Sequence, residues 1–162
     1  MDTDKHLITK YNSTKYQDFK KIFFEYLLIF YDSLDNQQLD KLCKDIESLN
    51  DKEVVLIDLL LCEEELCGFI IYQIDSKESD WCYREGFGLI RELYIKKAYR
   101  AKGLSARLVN HAEKSLIEMS ATKSYVTTGS ETSRFWDKMG YKGNGEICSI
   151  NDSYILIKGL IK

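Results

Sequence analysis

Proline is missing from this 162-residue chain, although average usage would give about eight. Its absence excludes collagen-like repeats, Pro-rich linkers and stalks. An excess of positive charge is missing too, because 26 Asp and Glu residues outnumber 23 Lys and Arg residues. A generally basic surface for nucleic acid is therefore not expected. The longest apolar run is the ten residues from Ile22 to Tyr31, about half of what a membrane-spanning helix needs, and Glu25 interrupts it.

Cysteine and histidine are sparse and scattered. The five cysteines include no C-x-x-C pair and the chain has two histidines, so neither a disulfide framework nor a metal site is expected. The first residues, Met1 to His6, are too polar and acidic for a secretory leader. Together these features predict a reduced, cytoplasmic protein.

The remaining composition is that of a globular protein, with 44% hydrophobic and 30% charged residues. The length predicts a single domain over residues 1–162, and the chain has no internal repeats. Helical spacing of apolar residues predicts helices, and short β-branched runs predict strands. The predicted helices are 13–30, capped by Ser13 or Thr14, 33–49, with Leu42 on its apolar face and a break at Asn50-Asp51, 103–120 and 131–139. The predicted strands are 7–11, 53–62, 66–74, 87–95, 123–128, 141–147 and 153–158, and the pair 53–62 and 66–74 is predicted to form a hairpin. This order is typical of an α/β (α+β) fold, with a mixed sheet of six to seven strands flanked by about four helices.

Basic side chains are concentrated between the predicted strand 87–95 and the helix that follows it. Residues 96–107 contain five basic side chains and no acidic one, whereas the other 150 residues hold 18 basic and 26 acidic side chains, a net charge of −8. The first N–H groups of a helix lack intrahelical acceptors and carry the positive end of its dipole. Gly103, with Arg100 and Lys102, would let a phosphate or diphosphate approach these groups. A solvated basic loop that opens a helix is the alternative, and charge pattern alone does not separate the two.

Two sequence blocks resemble the GNAT superfamily of N-acetyltransferases. The first is Ile90-Arg-Glu-Leu-Tyr-Ile-Lys-Lys-Ala-Tyr-Arg100-Ala-Lys-Gly103-Leu-Ser105, and its end resembles the family's acetyl-CoA-binding signature Q/R-x-x-G-x-G/A, with serine in the last place. The second is Thr132-Ser-Arg-Phe-Trp-Asp-Lys-Met-Gly-Tyr141, which resembles the family's A-x-x-F-Y-x-x-x-G-F segment. The resemblance implies a GNAT-like fold that uses acetyl-CoA as cosubstrate and no metal.

The resemblance also implies residues that bind the cosubstrate. Main-chain N–H groups after the strand would hold the CoA diphosphate, and the end of the strand would pair with pantetheine and polarise the thioester carbonyl. The implied residues are Leu93, Tyr94 and Ile95 in the strand, Arg100, Ala101, Lys102, Gly103, Leu104 and Ser105 after it, and Phe135 and Lys138 in the second block.

Glu92 is the expected catalytic base. An alkylamine with a pKa near 10 is neutral in about one molecule in a thousand at pH 7, so a carboxylate beside the donor strand would take its proton directly or through water. A structural ion pair of Glu92 with Arg91 or a lysine is the alternative. The family's usual tyrosine is replaced by Trp136, so the proton donor is solvent or another tyrosine of the motif region, namely Tyr141, Tyr125 or Tyr94. Of these, Tyr141 is the tyrosine we name as catalytic.

The implied reaction transfers the acetyl group of acetyl-CoA to a primary amine of a small molecule or peptide, by direct attack and without a covalent enzyme intermediate. Neither nucleic acid nor a membrane is an expected partner, and the choice between monomer and homodimer stays open. The alternative is a non-catalytic acyl-CoA-binding sensor or interaction module with the same fold, motivated by the tryptophan. Aromatic and acidic residues of the first helix and the segment after it form either a cleft for a cationic amine or part of the core: Phe23, Phe24, Glu25, Tyr26, Tyr31, Asp32 and Asp35.

Overall fold

Helices and strands follow one another in the order predicted from the hydrophobic pattern. The computed structural model describes residues 5–160, so most of the polar N-terminal segment on which the absence of a leader was predicted lies outside the described residues. The α-helices in this range are α1 Tyr16–Phe30, α2 Asn36–Asp51, α3 Leu104–Glu118 and α4 Ser133–Lys138. The strands are β1 His6–Lys10, β2 Leu56–Cys62, β3 Glu65–Ile74, β4 Gly88–Ile95, β5 Lys123–Thr128, β6 Lys142–Ile147 and β7 Tyr154–Gly159.

The described strands form one seven-stranded mixed sheet in the order β1-β2-β3-β4-β5-β7-β6. Antiparallel ladders join β1 to β2, β5 to β7 and β6 to β7. The ladder between β4 and β5 is parallel, and among the described residues it covers Gly88 and Leu89 of β4, which continues to Ile95. The mixed sheet with its four α-helices confirms the predicted fold class.

The first α-helix begins at Tyr16, later than predicted, and a 3-10 turn with its own N-cap precedes it. Ser13 or Thr14 was expected to cap it, but the Asn12 side chain accepts a hydrogen bond from the Thr14 N–H at 3.0 Å. This contact opens a 3-10 turn, Ser13–Lys15, which leads directly into α1. Asparagine is as good an N-cap residue as serine, which is why the cap moves upstream.

The second helix is displaced towards the C-terminus from its predicted range. Asp35 accepts a hydrogen bond from the Gln38 N–H at 2.8 Å, and the Gln38 side chain accepts one from the Asp35 N–H at 2.9 Å. This capping box starts α2 at Asn36 instead of residue 33. The helix also continues past its predicted end at residue 49, because Asn50 and Asp51, which were expected to break it, are its last two residues. Leu42 was placed on the buried face, yet it is 39% exposed.

The predicted hairpin between β2 and β3 is confirmed, although its turn has unusual residues. Glu63 and Glu64 have φ values of 51° and 74°, and both central residues of a type I′ turn need a positive φ. Asn-Gly or Asp-Gly is the common choice for this turn, so the two glutamates adopt its backbone at a cost in conformational energy.

Two compact units can be distinguished in the chain. The first contains the chain up to Ile71 together with Glu92–Leu108, and the second contains Tyr72–Arg91 together with the chain from Val109 onward. The first unit has an aromatic core in which Phe19 stacks on Phe23, with ring centroids 5.3 Å apart. None of the described helices is long and apolar enough to cross a membrane. The single domain expected over residues 1–162 stays a prediction.

Candidate active site

The basic segment after β4 contains two residues with left-handed backbone angles just before a helix. A 3-10 turn, Lys97–Tyr99, follows the strand, and α3 starts at Leu104. Between them Ala101 and Gly103 have φ values of 66° and 73°, both in the left-handed region. Left-handed residues beside ordinary ones aim successive N–H groups at one side of the chain and form a concave site for an anion.

The N-terminus of α3 adds donors to this turn. The Arg107 N–H donates to the Gly103 carbonyl at 3.2 Å, so the N–H groups of the three residues between them have no acceptor within the helix. A Cβ atom added at Gly103 would meet no heavy atom within 4 Å, so the space beside its backbone is open. The segment therefore offers main-chain donors at the positive end of a helix dipole.

The basic side chains of the segment do not all lie over the helix start. Arg100 Nε donates to the Ile95 carbonyl at 2.8 Å, and its guanidinium carbon lies 5.5 Å from the centre of the Tyr94 ring. The Arg107 side chain donates to the His6 carbonyl at 2.9 Å. The main chain is thus the clearest feature of the anion site, because the Arg100 and Arg107 side chains contact other groups of the first unit.

Glu92 is reached by a tyrosine from another part of the first unit. The Tyr26 hydroxyl on α1 donates a hydrogen bond to Glu92 Oε2 on β4. Both side chains are half-buried. Burial, followed by the charge of Glu92 and the hydrogen bond to it, raises the pKa of Tyr26 far above its ordinary value. Tyr26 therefore stays protonated and remains a donor to Glu92 throughout the neutral range.

A second carboxylate lies in the same group of aromatic residues. The Tyr94 hydroxyl donates to Glu25 Oε2 at 3.3 Å, and the Tyr94 ring centre is 5.6 Å from that of Tyr26. Lys96 Nζ lies 4.0 Å from Glu25 Oε1. Burial, together with the charge of Glu25, raises the pKa of Tyr94. The expected association of aromatic and acidic groups on the first helix is present at Glu25 and Tyr26, whereas Tyr31 is 51% exposed.

The predicted residues of the second block lie in the second unit. Phe135 packs edge-on against Trp136 with ring centres 5.0 Å apart, and Lys138 is exposed in the last turn of α4. Tyr141 is 1% exposed, and its hydroxyl lies 2.8 Å from Glu113 Oε2 and 3.1 Å from Ser124 Oγ. Burial, followed by the charge of Glu113, raises the pKa of Tyr141. Its catalytic role stays a prediction, because both contacts also explain the residue as part of the core.

Asp75 organises the polar loop between β3 and β4, and sequence reasoning missed it. It is fully buried, and its Oδ2 accepts hydrogen bonds from the Tyr83 and Arg84 N–H groups at 2.9 and 2.7 Å. The Tyr125 hydroxyl donates to the same oxygen at 2.6 Å. An acidic residue that directly follows a long apolar strand was the available signal. The contact from Tyr26 to Glu92 was missed as well, and no local pattern marks it.

The sequence matches the family model described as acetyltransferase (GNAT) family over residues 16–141. This match includes the turn before α3, Glu92 and all of α4. The chain belongs to the GNAT acetyltransferase family. The chain therefore has the GNAT fold, and the chemistry of its family is acyl transfer linked to coenzyme A.

Solved structures of GNAT proteins share the fold of this chain. The PaiA N-acetyltransferase from Thermoplasma acidophilum in complex with coenzyme A has a TM-score of 0.71 and 17% identity, with 95% of this chain and 98% of that chain covered. A GNAT acetyltransferase from Staphylococcus aureus Mu50 has a TM-score of 0.74 and 13% identity, with 96% and 99% covered. An aminoglycoside 6′-N-acetyltransferase complexed with coenzyme A has a TM-score of 0.71 and 15% identity, with 96% and 98% covered. No curated protein matches the sequence.

Proposed function

We propose that this GNAT protein is an N-acetyltransferase that moves the acetyl group of acetyl-CoA to a primary amine by direct attack. The observation that carries the proposal is the turn before α3, in which Ala101 and Gly103 adopt left-handed backbone angles next to a helix N-terminus. Such a turn suits a diphosphate, because it offers several N–H donors without a side chain in the way. Two CoA-bound GNAT structures of the same fold support the choice of ligand.

The proposed binding mode uses main-chain groups more than side chains. The diphosphate would lie against the N–H groups of Arg100, Ala101, Lys102, Gly103, Leu104 and Ser105. Pantetheine would pair with the main chain of Leu93, Tyr94 and Ile95. This pairing is supported by the length of β4, which continues to Ile95 although only its first two residues form a ladder with β5. Phe135 and Lys138 are the proposed contacts from α4.

Glu92 is the proposed base. The ammonium group of the acceptor gives a proton to the Glu92 carboxylate, directly or through one water, and the amine nitrogen then bonds to the acetyl carbonyl carbon. Main-chain N–H groups at the end of β4 stabilise the oxyanion, and the C–S bond breaks to release the CoA thiolate. The second surplus proton of the nitrogen passes to that thiolate or to solvent, which leaves a neutral amide. Holding both reactants together supplies much of the rate. The geometry of Tyr141 favours a structural role, so we assign protonation of the thiolate to no side chain.

A matched pair of glycine variants tests the anion site. Gly103→Ala and Gly145→Ala introduce the same methyl group at φ values of 73° and 91°, and neither Cβ would meet a heavy atom within 4 Å. Both variants therefore carry similar backbone strain, of about 1 kcal/mol. Calorimetry of CoA binding is expected to show a loss of affinity of about tenfold or more for Gly103→Ala and none for Gly145→Ala, because only the first methyl group obstructs the diphosphate. Equal affinity of both variants and the parent would refute the proposed site.

The acyl-CoA sensor is the second candidate function, because buried Trp136 takes the place of the family's tyrosine and is 8% exposed. Thiol release from acetyl-CoA in the presence of aminoglycosides, polyamines, amino acids and peptide N-termini separates the two functions. Turnover with any acceptor supports the enzyme. Tight binding of acetyl-CoA without turnover across the whole panel supports the sensor.

A further inference from the structure

The ring of Tyr26 is enclosed by other aromatic residues of the first unit. Its centre lies 5.1 Å from the ring centre of Phe30, 5.5 Å from that of Phe69 and 5.6 Å from that of Tyr94, all in edge-on contacts. The Phe23 ring stacks on it at 6.2 Å. A ring held on several sides has few rotamers available, so its hydroxyl has a well-defined position.

The Tyr26 hydroxyl is held beside the Glu92 carboxylate. The hydroxyl donates to Glu92 Oε2 across 66 residues of sequence, from the middle of α1 to the middle of β4. A carboxylate that accepts a hydrogen bond from a fixed donor loses rotational freedom and keeps one orientation. We propose that Tyr26 is a positioning residue, which holds the Glu92 carboxylate in the orientation in which it takes the proton of the acceptor amine. This inference rests on the proposed function, in which Glu92 is the base.

The hydrogen bond acts on the charge state of Glu92 as well as on its orientation. A donor to a carboxylate stabilises the ionised form, so removal of the donor makes the carboxylate hold its proton up to a higher pH. Titratable and charged groups of the first unit near this pair include Glu25 and Tyr31 on α1, and Tyr94, Lys96 and Arg100 on or after β4.

The test is Tyr26→Phe, which removes the hydroxyl and keeps the ring. With an acceptor that the parent enzyme uses, kcat at neutral pH is expected to fall about tenfold, because a misplaced base reacts less often. The KM for acetyl-CoA is expected to stay unchanged. In the pH profile of kcat/KM, the break caused by protonation of Glu92 is expected to move to higher pH, because the carboxylate has lost a hydrogen-bond donor. The contribution of the amine is common to both proteins and cancels in the comparison.

Tyr11→Phe is the matched control. The Tyr11 hydroxyl donates to Glu47 within the same unit, and Tyr11 packs edge-on against Phe19 with ring centres 5.2 Å apart. The control therefore removes a phenol hydroxyl from another tyrosine–glutamate pair of the same aromatic core. We expect the two variants to lose similar thermal stability, but only Tyr26→Phe to change kcat and the pH profile.

A double variant separates positioning from packing. In a Glu92→Gln background, Tyr26→Phe is expected to reduce kcat no further, because Tyr26 acts through the Glu92 carboxylate. A further tenfold loss in that background would overturn the inference. So would a Tyr26→Phe enzyme whose kcat and pH profile match those of the parent or of Tyr11→Phe.

The inference and the proposed function fail in different ways. If Glu92→Gln keeps full turnover, the base assignment fails, and the role of Tyr26 fails with it. If Glu92→Gln loses turnover but Tyr26→Phe behaves like the parent, the base stands and the positioning role alone is wrong. Should Tyr26→Phe unfold below the assay temperature, the parent and all variants are assayed at a lower temperature at which Tyr26→Phe is folded, under the same criteria.

Discussion

Two tyrosine–glutamate pairs, Tyr141 with Glu113 in the second unit and Tyr26 with Glu92 in the first, have different surroundings. In the second unit Tyr141 and Glu113 are 1% and 7% exposed, and Lys158 Nζ lies 2.9 Å from one Glu113 oxygen and 3.1 Å from the other. In the first unit Tyr26 and Glu92 are half-buried, on α1 and β4. The buried pair is neutralised by a lysine, while the half-buried pair adjoins the proposed cosubstrate strand.

This difference distinguishes a carboxylate that stabilises the fold from one that can act in catalysis. A buried carboxylate is stable only when its charge is compensated, and Glu113 has both a cation and a hydroxyl donor. A catalytic carboxylate must accept a proton from a substrate, so it needs access to solvent or ligand. Glu92 meets that requirement better than Glu113.

The largest expected effects come from changing the two glutamates in the same way. Glu92→Gln is expected to reduce kcat/KM by about 10²–10³-fold with little change in stability, because it removes a base that contributes that much to proton transfer. Glu113→Gln is expected to do the reverse and lower the free energy of unfolding by about 3 kcal/mol, because Lys158 loses its buried counter-charge. Steady-state kinetics and urea unfolding measure both. If both variants lose activity alike, the distinction between the two pairs is wrong.

A smaller effect is expected from Tyr141→Phe. The buried Glu113 loses a donor at 2.8 Å, so the free energy of unfolding should fall by about 1–2 kcal/mol while kcat stays near that of the parent. Chemical unfolding and steady-state kinetics are again the measurements. A large fall in kcat with unchanged stability would identify Tyr141 as the proton donor to the thiolate and move it to the catalytic group.

The smallest effect is expected at an exposed carboxylate of the second unit. Asp80 accepts hydrogen bonds from Arg91 at 2.8 and 3.0 Å and is 48% exposed. Burial raises its pKa, but the hydrogen bonds and charge of Arg91 outweigh burial and leave the pKa below its ordinary value. The pair therefore stabilises the fold above the ordinary pKa of aspartate and loses this contribution as pH falls through the lowered value.

The contribution of this pair is about 0.5 kcal/mol, because solvent screens it. Thermal unfolding of the parent and of Asp80→Asn should differ slightly at pH 7, and the difference should shrink in acid. A difference that grows in acid would show that the pKa of Asp80 is raised, and not lowered, in the folded protein.

Much of the fold was predictable because its signals are local. The apolar stripe of α3 and the β-branched run of β5 placed both elements within about two residues of their observed bounds. Errors arose where two local signals competed. Asn12 took the cap expected of its neighbours, and Asp35 with Gln38 moved the start of α2. Each alternative differs by a single side-chain hydrogen bond, which the hydrophobic pattern does not encode.

The candidate site divides in the same way. The order of its elements, the basic segment with Gly103 and the acidic residue on β4 are properties of neighbouring residues, so the sequence by itself determined them. Three contacts were decided only by the tertiary structure. Tyr26 donates to Glu92, Asp75 accepts hydrogen bonds from N–H groups of its loop, and Tyr141 is buried with Glu113. These contacts join residues far apart in the chain. Packing of the whole core determines which residues come together, and no short stretch of sequence specifies that packing.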